Sequence, residues 1–444
     1  MKFLTFGIIG CVALLVVLPV TGPASAEDKL IASDENSWDI FGFTTAIDGD
    51  TAVIGAHGND DDGEASGSAY IFEWDNAGGE WVEITKLTAS DAAEEDKFGY
   101  SVAISGDIVV VGAYLGDDVN VDTGSAYVFY RDQGGADAWG EVAKLTASDS
   151  EFEDWFGIVV ANDGDTAVVG AQWADGAETN SGAAYIFERD AGGPDNWGEV
   201  VILTASDTSQ DAIFGHSVSI NGQTVIVGAD RDGEGGIDSG AAYVFYRDHG
   251  GPGVWGEVTK LMADDAAAEA RFGISAAIDG DLVVVGAFRD DGGAILDSGS
   301  AYLFDRNLGG ADAWGQLAKL MASDGVEDDR FGLAVAIRGA TAIVGSGYHD
   351  SAAENAGAAY IFNRDYGGPN TWGEALKLTA SDAEIDDIFG NKGVSFSAGR
   401  ALIGAYWDDS AMGMNSGSAY VFHIPFFADG FESGDTDMWD STTP

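Results

Sequence analysis

The chain has 444 residues, with 75 acidic side chains against 20 basic ones and a formal net charge of −55. That charge repels nucleic acid and anionic lipid headgroups, so neither is expected as a partner. Cys11 is the only cysteine, which excludes a disulfide scaffold and leaves stability to an apolar core.

Residues 1–26 read as an export signal. Lys2 gives a basic start, Phe3 to Val20 is mostly apolar, and Ala24-Ser25-Ala26 offers small residues where a signal peptidase cleaves. A lipoprotein box at Ile8-Ile9-Gly10-Cys11 is the weaker reading, because the most apolar stretch follows Cys11. No later apolar run is long enough to cross a bilayer, so no membrane insertion is expected. The mature chain is expected outside the cell, secreted or at the cell surface, as a monomer.

From residue 27 onward the sequence repeats. Phe-Gly stands at Phe41, Phe98, Phe156, Phe214, Phe272, Phe331 and Phe389, each followed by glycine, at steps of 57 to 59 residues. Seven copies of one unit make the fold a question about one copy. The copy at Phe98 shows four β-prone runs: Ser101–Ile104, Ile108–Val111, Gly124–Phe129 and Trp139–Leu145. Turn signals separate them, and no helical period appears. Asp48-Gly49 and its equivalents predict a two-residue hairpin between the first two runs. The third run always reads Gly-x-Ala-Tyr-x-Phe, and its aromatics are expected to pack between units. Seven four-stranded sheets bury both faces by standing radially around an axis. The expected fold is therefore all-β, a seven-bladed β-propeller over residues 27–425.

The seventh copy lacks a fourth strand, because Phe422 runs into His423-Ile424-Pro425. A lone fourth-strand pattern, Lys29-Leu30-Ile31-Ala32-Ser33-Asp34, precedes the first Phe-Gly. It is expected to complete the last blade and close the ring. The same copy carries a two-residue insertion near Asn391. Residues 426–444 form an acidic tail outside the repeats.

Strand parity puts the loops after strands two and four on one face. Those loops hold 44 of the 75 acidic residues, so that face is expected to be strongly negative. The Asp of each Ala-Ser-Asp is expected to shape its turn by accepting backbone N–H groups.

Phe-Gly opening each copy and Gly-Ala closing its second strand resemble the FG-GAP repeat, the blade of the integrin α-subunit propeller. The Pro of Gly-Ala-Pro is missing, and the likeness is nearest to secreted bacterial relatives of that repeat. Integrin-like members hold calcium in a long loop between strands one and two. Here that connection is a tight hairpin, so those sites do not carry over, and no cofactor is required. Calcium stays open at one cluster on the other face, Asp60, Asp61, Asp62 and Glu64, whose spacing matches no defined motif.

No catalytic constellation is visible. The five histidines occupy different places in their repeats, and no nucleophile elbow or phosphate loop is present. The residues just after Gly-Ala differ between blades where the scaffold does not. His57, Tyr114, Gln172, Asp230, Phe288 and Tyr406 are therefore the candidate ligand contacts. A ring of tryptophans (Trp81, Trp139, Trp197, Trp255, Trp314, Trp372) reads either as a sugar platform or, more simply, as packing. The expected function is non-enzymatic binding or adhesion, with an extracellular protein or glycan, or divalent cations, as ligand. The alternative is an extracellular polysaccharide-active hydrolase or lyase with its site in the central channel on the acidic face.

Overall fold

The computed structural model describes residues 27–424, apart from 118–120, 177, 208 and 411–412. Residues 1–26, expected to be an export signal, and the tail of 426–444 lie outside the described residues. Seven antiparallel four-stranded sheets stand around a central channel, in the expected seven-bladed β-propeller. Blade two is representative: Phe98–Ser105 lines the channel, and Ile108–Ala113, Ser125–Tyr130 and Gly140–Leu145 follow outward. Blade one spans residues 45–87 and blade seven 394–423, with the others between them in chain order.

The hairpins differ from expectation by one residue. Asp48 pairs with Thr51 and Ser105 with Ile108, so the turn residues are Gly49-Asp50 and Gly106-Asp107. Gly106 leads its turn at φ +57, a backbone state that costs glycine little.

Each apolar cluster belongs to two blades. Val53, Ala69, Ile71 and Leu87 of blade one pack with Phe98, Val109, Val111, Tyr127 and Phe129 of blade two. Phe98 is fully buried and meets Tyr127 and Phe129 edge-on, with centroids 5.5 and 6.0 Å apart. Burying such a ring contributes about 1.5–3 kcal/mol, and the geometry recurs in all seven blades.

The glycines explain the rest of the signature. Gly99 holds φ +86, and a Cβ there would sit 2.0 Å from the Ser68 carbonyl oxygen of the preceding blade. A Cβ on Gly55 would in turn meet the Gly99 carbonyl oxygen at 2.0 Å. Phe-Gly and Gly-Ala thus mark where the backbones of adjacent blades touch.

Closure follows the expected route. Glu27–Leu30 pairs antiparallel with Ser418–His423, Lys29 opposite Tyr420, and supplies the outer strand of blade seven. Among the described residues no helix is long and apolar enough to cross a membrane.

Candidate ligand site at the channel mouth

The two acidic loop sets interlock on one face. The N–H of Glu95, in the link into blade two, donates to the Glu64 carbonyl of the blade-one loop, and Phe98 donates to Ser66. The same bonds join Asp386 to Glu354 and Phe389 to Ala356 between blades six and seven.

Much of the negative charge on this face is already paired. Asp34 accepts the Tyr70 hydroxyl and the Lys86 ammonium, both at 2.8 Å. Asp91 does so with Tyr127 and Lys144, and Asp207, Asp265, Asp324 and Asp382 repeat the pattern. Burial opposes ionisation of Asp34, but the bonds from Lys86 and Tyr70 and the lysine charge outweigh it, so its carboxyl sits below the usual range. A backbone N–H also donates to this carboxylate, so the expected backbone role is joined by a larger one. The Ala-Ser-Asp carboxylate ties strands three and four of the next blade, and a second Asp, five residues on, accepts a further backbone N–H. Asp39 accepts the Asn36 N–H, and Asp96, Asp154, Asp329 and Asp387 act alike. Blade three alone lacks the lysine, with Ile202 in its register position opposite Tyr185.

Buried carboxylates trade places between two positions. Blades four and five have Ala212 and Ala270 where the others place that second Asp, and they bury Asp232 and Asp290 in the neighbouring loop instead. Blade seven buries both Asp387 and Asp408. Burial pushes Asp387 up to about 6, with the Asp408 charge adding to the effect. In blade six His349 fills the second position, its Nδ1 lying 2.8 Å from Asp329.

The calcium candidates do not converge. Asp60 accepts the Ala65 N–H at 2.7 Å, and Asp61 pairs with Lys86. Among the described residues no three His, Cys, Asp or Glu side chains are grouped to hold a metal.

The channel itself encloses about 250 Å³, lined by inner-strand residues of all seven blades. At its mouth the candidate contacts split into two sectors. The first is aromatic and runs unbroken from blade seven to blade three. Tyr406 lies 4.9 Å from Phe43, Phe43 4.7 Å from Tyr100, Tyr100 4.4 Å from Tyr114, Tyr114 5.3 Å from Trp155, and Trp155 5.8 Å from Trp173. His57 packs against Phe43 at 4.3 Å, and burial pushes its imidazole down to about 3, leaving it neutral.

The second sector is polar. Gln172 lines the cavity and is 6% exposed, with its Oε1 unbonded. Asp230 is 3% exposed and lies 3.4 Å from His216 Nδ1 and 3.5 Å from the Arg271 guanidinium. Burial pushes His216 down to about 4, and the charges of Lys392, Arg231 and Arg271 act in the same direction against the pull of Asp230. Lys392 comes from the blade-seven insertion and lines the cavity, and burial holds its ammonium below the usual range. Phe288 stands apart from the aromatic sector and carries the Arg289 guanidinium 5.8 Å above its ring.

Sequence reasoning missed Trp155, Trp173, Arg231, Arg330 and Lys392. Trp155 and Arg330 stand immediately before Phe-Gly, and Trp173 and Arg231 two residues after Gly-Ala. Superposing the repeats shows that these positions also vary, which was the available signal. The expected tryptophan ring is packing: Trp81, Trp139, Trp197, Trp255, Trp314 and Trp372 are all buried. Trp197 and Trp314 spend their indole N–H on Tyr130 and Tyr246.

No curated protein matches the chain. The FG-GAP repeat profile matches seven times, at residues 25–72, 81–129, 139–187, 197–245, 255–304, 314–362 and 372–422. Each match runs from the outer strand of one blade through the three inner strands of the next, and the first match takes in the closing strand at Glu27–Leu30. With its Phe-Gly and Gly-Ala glycines at the blade contacts and the match repeated over most of its length, the chain belongs to the FG-GAP repeat family.

Proposed function

We propose that this chain is exported and acts without catalysis, as a binding or adhesion module whose extracellular ligand docks at the channel mouth. FG-GAP propellers are typically extracellular binding domains, which supports the general reading. The observation that carries the choice of surface is the pattern of variation. Positions that hold blades together repeat seven times, whereas those around the mouth change chemistry from blade to blade and leave buried polar atoms unbonded on Gln172, Arg231 and Arg330. Fold maintenance does not ask for such variety, and ligand recognition does.

The test is an array of extracellular glycans and proteins probed with the purified propeller. A Trp155→Ala/Trp173→Ala variant should lose the signal of the parent, and Arg247→Ala, which opens an ion pair with Glu188 away from the mouth, should keep it. Equal binding by the mouth variant would overturn this reading.

One observation favours the alternative of a polysaccharide-active hydrolase or lyase. A neutral His216 beside a carboxylate, with Lys392 lining the same cavity, is a usable acid–base set. Polysaccharide cleavage abolished by His216→Ala would establish it.

A further inference from the structure

The channel cavity departs from the rest of the molecule in charge. Its wall includes no aspartate or glutamate, in a chain with 75 acidic residues, and it includes Lys392. Among the described residues no ion pair or hydrogen bond reaches the Lys392 ammonium. Asp230 is a carboxylate whose charge acts on it, but Asp230 lies against His216 at 3.4 Å and Arg271 at 3.5 Å instead. Desolvation in the channel works against the lysine charge, and an anion entering the cavity relieves that cost.

Hydrogen bonding in the same wall leaves a second demand. The hydroxyls of Ser101, Ser217 and Ser275 donate at 2.9 Å to the carbonyls of Gly157, Gly273 and Gly332. Gln172 is 6% exposed, and its Oε1, which only accepts, has no donor. Thr44 Oγ1 is unbonded too, but a hydroxyl turns either to give or to accept. On the side of blades one to three the wall is aromatic, with Phe43, Tyr100 and Trp155. The volume of about 250 Å³ lies just under the roughly 300–1,000 Å³ of drug-sized pockets, so the occupant is a small molecule rather than a chain.

We propose that the central channel binds a small aromatic hydroxy acid. Its carboxylate pairs with Lys392, its hydroxyl donates to Gln172 Oε1, and its ring packs against Phe43, Tyr100 and Trp155. All five side chains line the one cavity. The acidic loops around the mouth disfavour polyanions, which limits the ligand to a single carboxylate. This rests on the channel mouth being the ligand surface, and it names the ligand class.

The experiment is a calorimetric titration, with tryptophan fluorescence as a second readout. The probes are 3-phenyllactate, its methyl ester, 3-phenylpropionate and lactate. Phenyllactate should bind about tenfold or more tightly than the ester, which lacks the charge. It should bind about fivefold more tightly than phenylpropionate, which lacks the hydroxyl. Lactate, which lacks the ring, should bind weakest. Lys392→Met should close the gap between acid and ester, and Gln172→Leu the gap between phenyllactate and phenylpropionate, each with melting no lower than the parent's. Equal affinity for acid and ester would overturn the carboxylate pairing, and equal affinity for phenylpropionate the hydroxyl contact. Lactate binding as tightly as phenyllactate would overturn the aromatic component. Phenyllactate binding untouched by both substitutions would put the site elsewhere and overturn the proposal. No binding of any probe would overturn the channel site as well. The mouth survives that last result if Trp155→Ala/Trp173→Ala still loses the array signal, and falls with it if the signal persists.

Discussion

The backbone N–H of Asp264 donates to Oε1 of Gln316 at 2.9 Å, across the interface between blades four and five. At the six other interfaces these positions hold Ser and Glu. Ser33 with Glu83 and Ser90 with Glu141 are examples, the serine N–H and hydroxyl both donating to the carboxylate. Where the serine has become an aspartate the glutamate has become a glutamine, which removes a like-charge contact while keeping the acceptor.

Gln316→Glu should therefore destabilise the ring, by about 1 kcal/mol, through repulsion from Asp264. Adding Asp264→Ser should more than recover the loss, because it restores the serine–glutamate pair. Thermal melts of the two single variants and the double variant check the coupling. Additive effects would show that the two side chains do not communicate.

Ile202→Lys should stabilise. Asp149 accepts the Tyr185 hydroxyl at 2.9 Å but receives no lysine, unlike its six counterparts. A lysine at 202 completes the set, and a partly exposed pair of this kind contributes about 0.5–1 kcal/mol. Chemical denaturation measures the gain, which should shrink in high salt.

Removing residues 27–34 should destabilise far more than an ordinary terminal trim. It strips the outer strand from Ser418–His423 and leaves an open sheet edge, and it removes the Lys29 pairs with Asp382 and Asp408. The shortened chain should melt lower and self-associate, and a synthetic peptide of residues 27–34 added in trans should restore part of the loss. An unchanged melting temperature would refute closure through this strand.

Stability should peak in mild acid. Burial pushes Asp39 and Asp387 up to about 6, so the folded state takes up protons more readily than the unfolded chain, and stability rises as pH falls from 7 towards 5. Asp34, Asp91, Asp207, Asp265, Asp324 and Asp382 lie below the usual carboxylate range. Their contribution is complete above the unfolded carboxylate range and is lost as pH falls through their folded values, so stability drops again below about 4. Melting temperature against pH should show that maximum, and Asp387→Asn should flatten its neutral limb.

How much of this was legible in the sequence depends on whether one residue's meaning is local. Phe98, Gly99 and Gly55 speak through spacing, because each makes the same contact seven times, and so the fold and its closing strand could be read directly. The Asp34–Tyr70–Lys86 set could not, since Tyr70 and Lys86 face each other across two strands of blade one while Asp34 reaches them from the link that precedes the blade. The ligand candidates after Gly-Ala were found because they break the repeat. Trp155, Trp173, Arg231 and Arg330 break it too, but their importance depends on facing one opening, which no spacing encodes. Asp60, Asp61 and Asp62 show the converse: adjacency in sequence suggested a cluster that hydrogen bonds to Ala65 and an ion pair to Lys86 disperse.

Hydrogen exchange, compared with and without a saturating array ligand, tests the central claim most directly. Binding at the mouth should protect the backbone around Tyr100, Trp155, Trp173 and Arg231, leaving the hairpins at Gly49, Gly106 and Gly164 unchanged. Protection confined to those hairpins, on the other face of the ring, would contradict it.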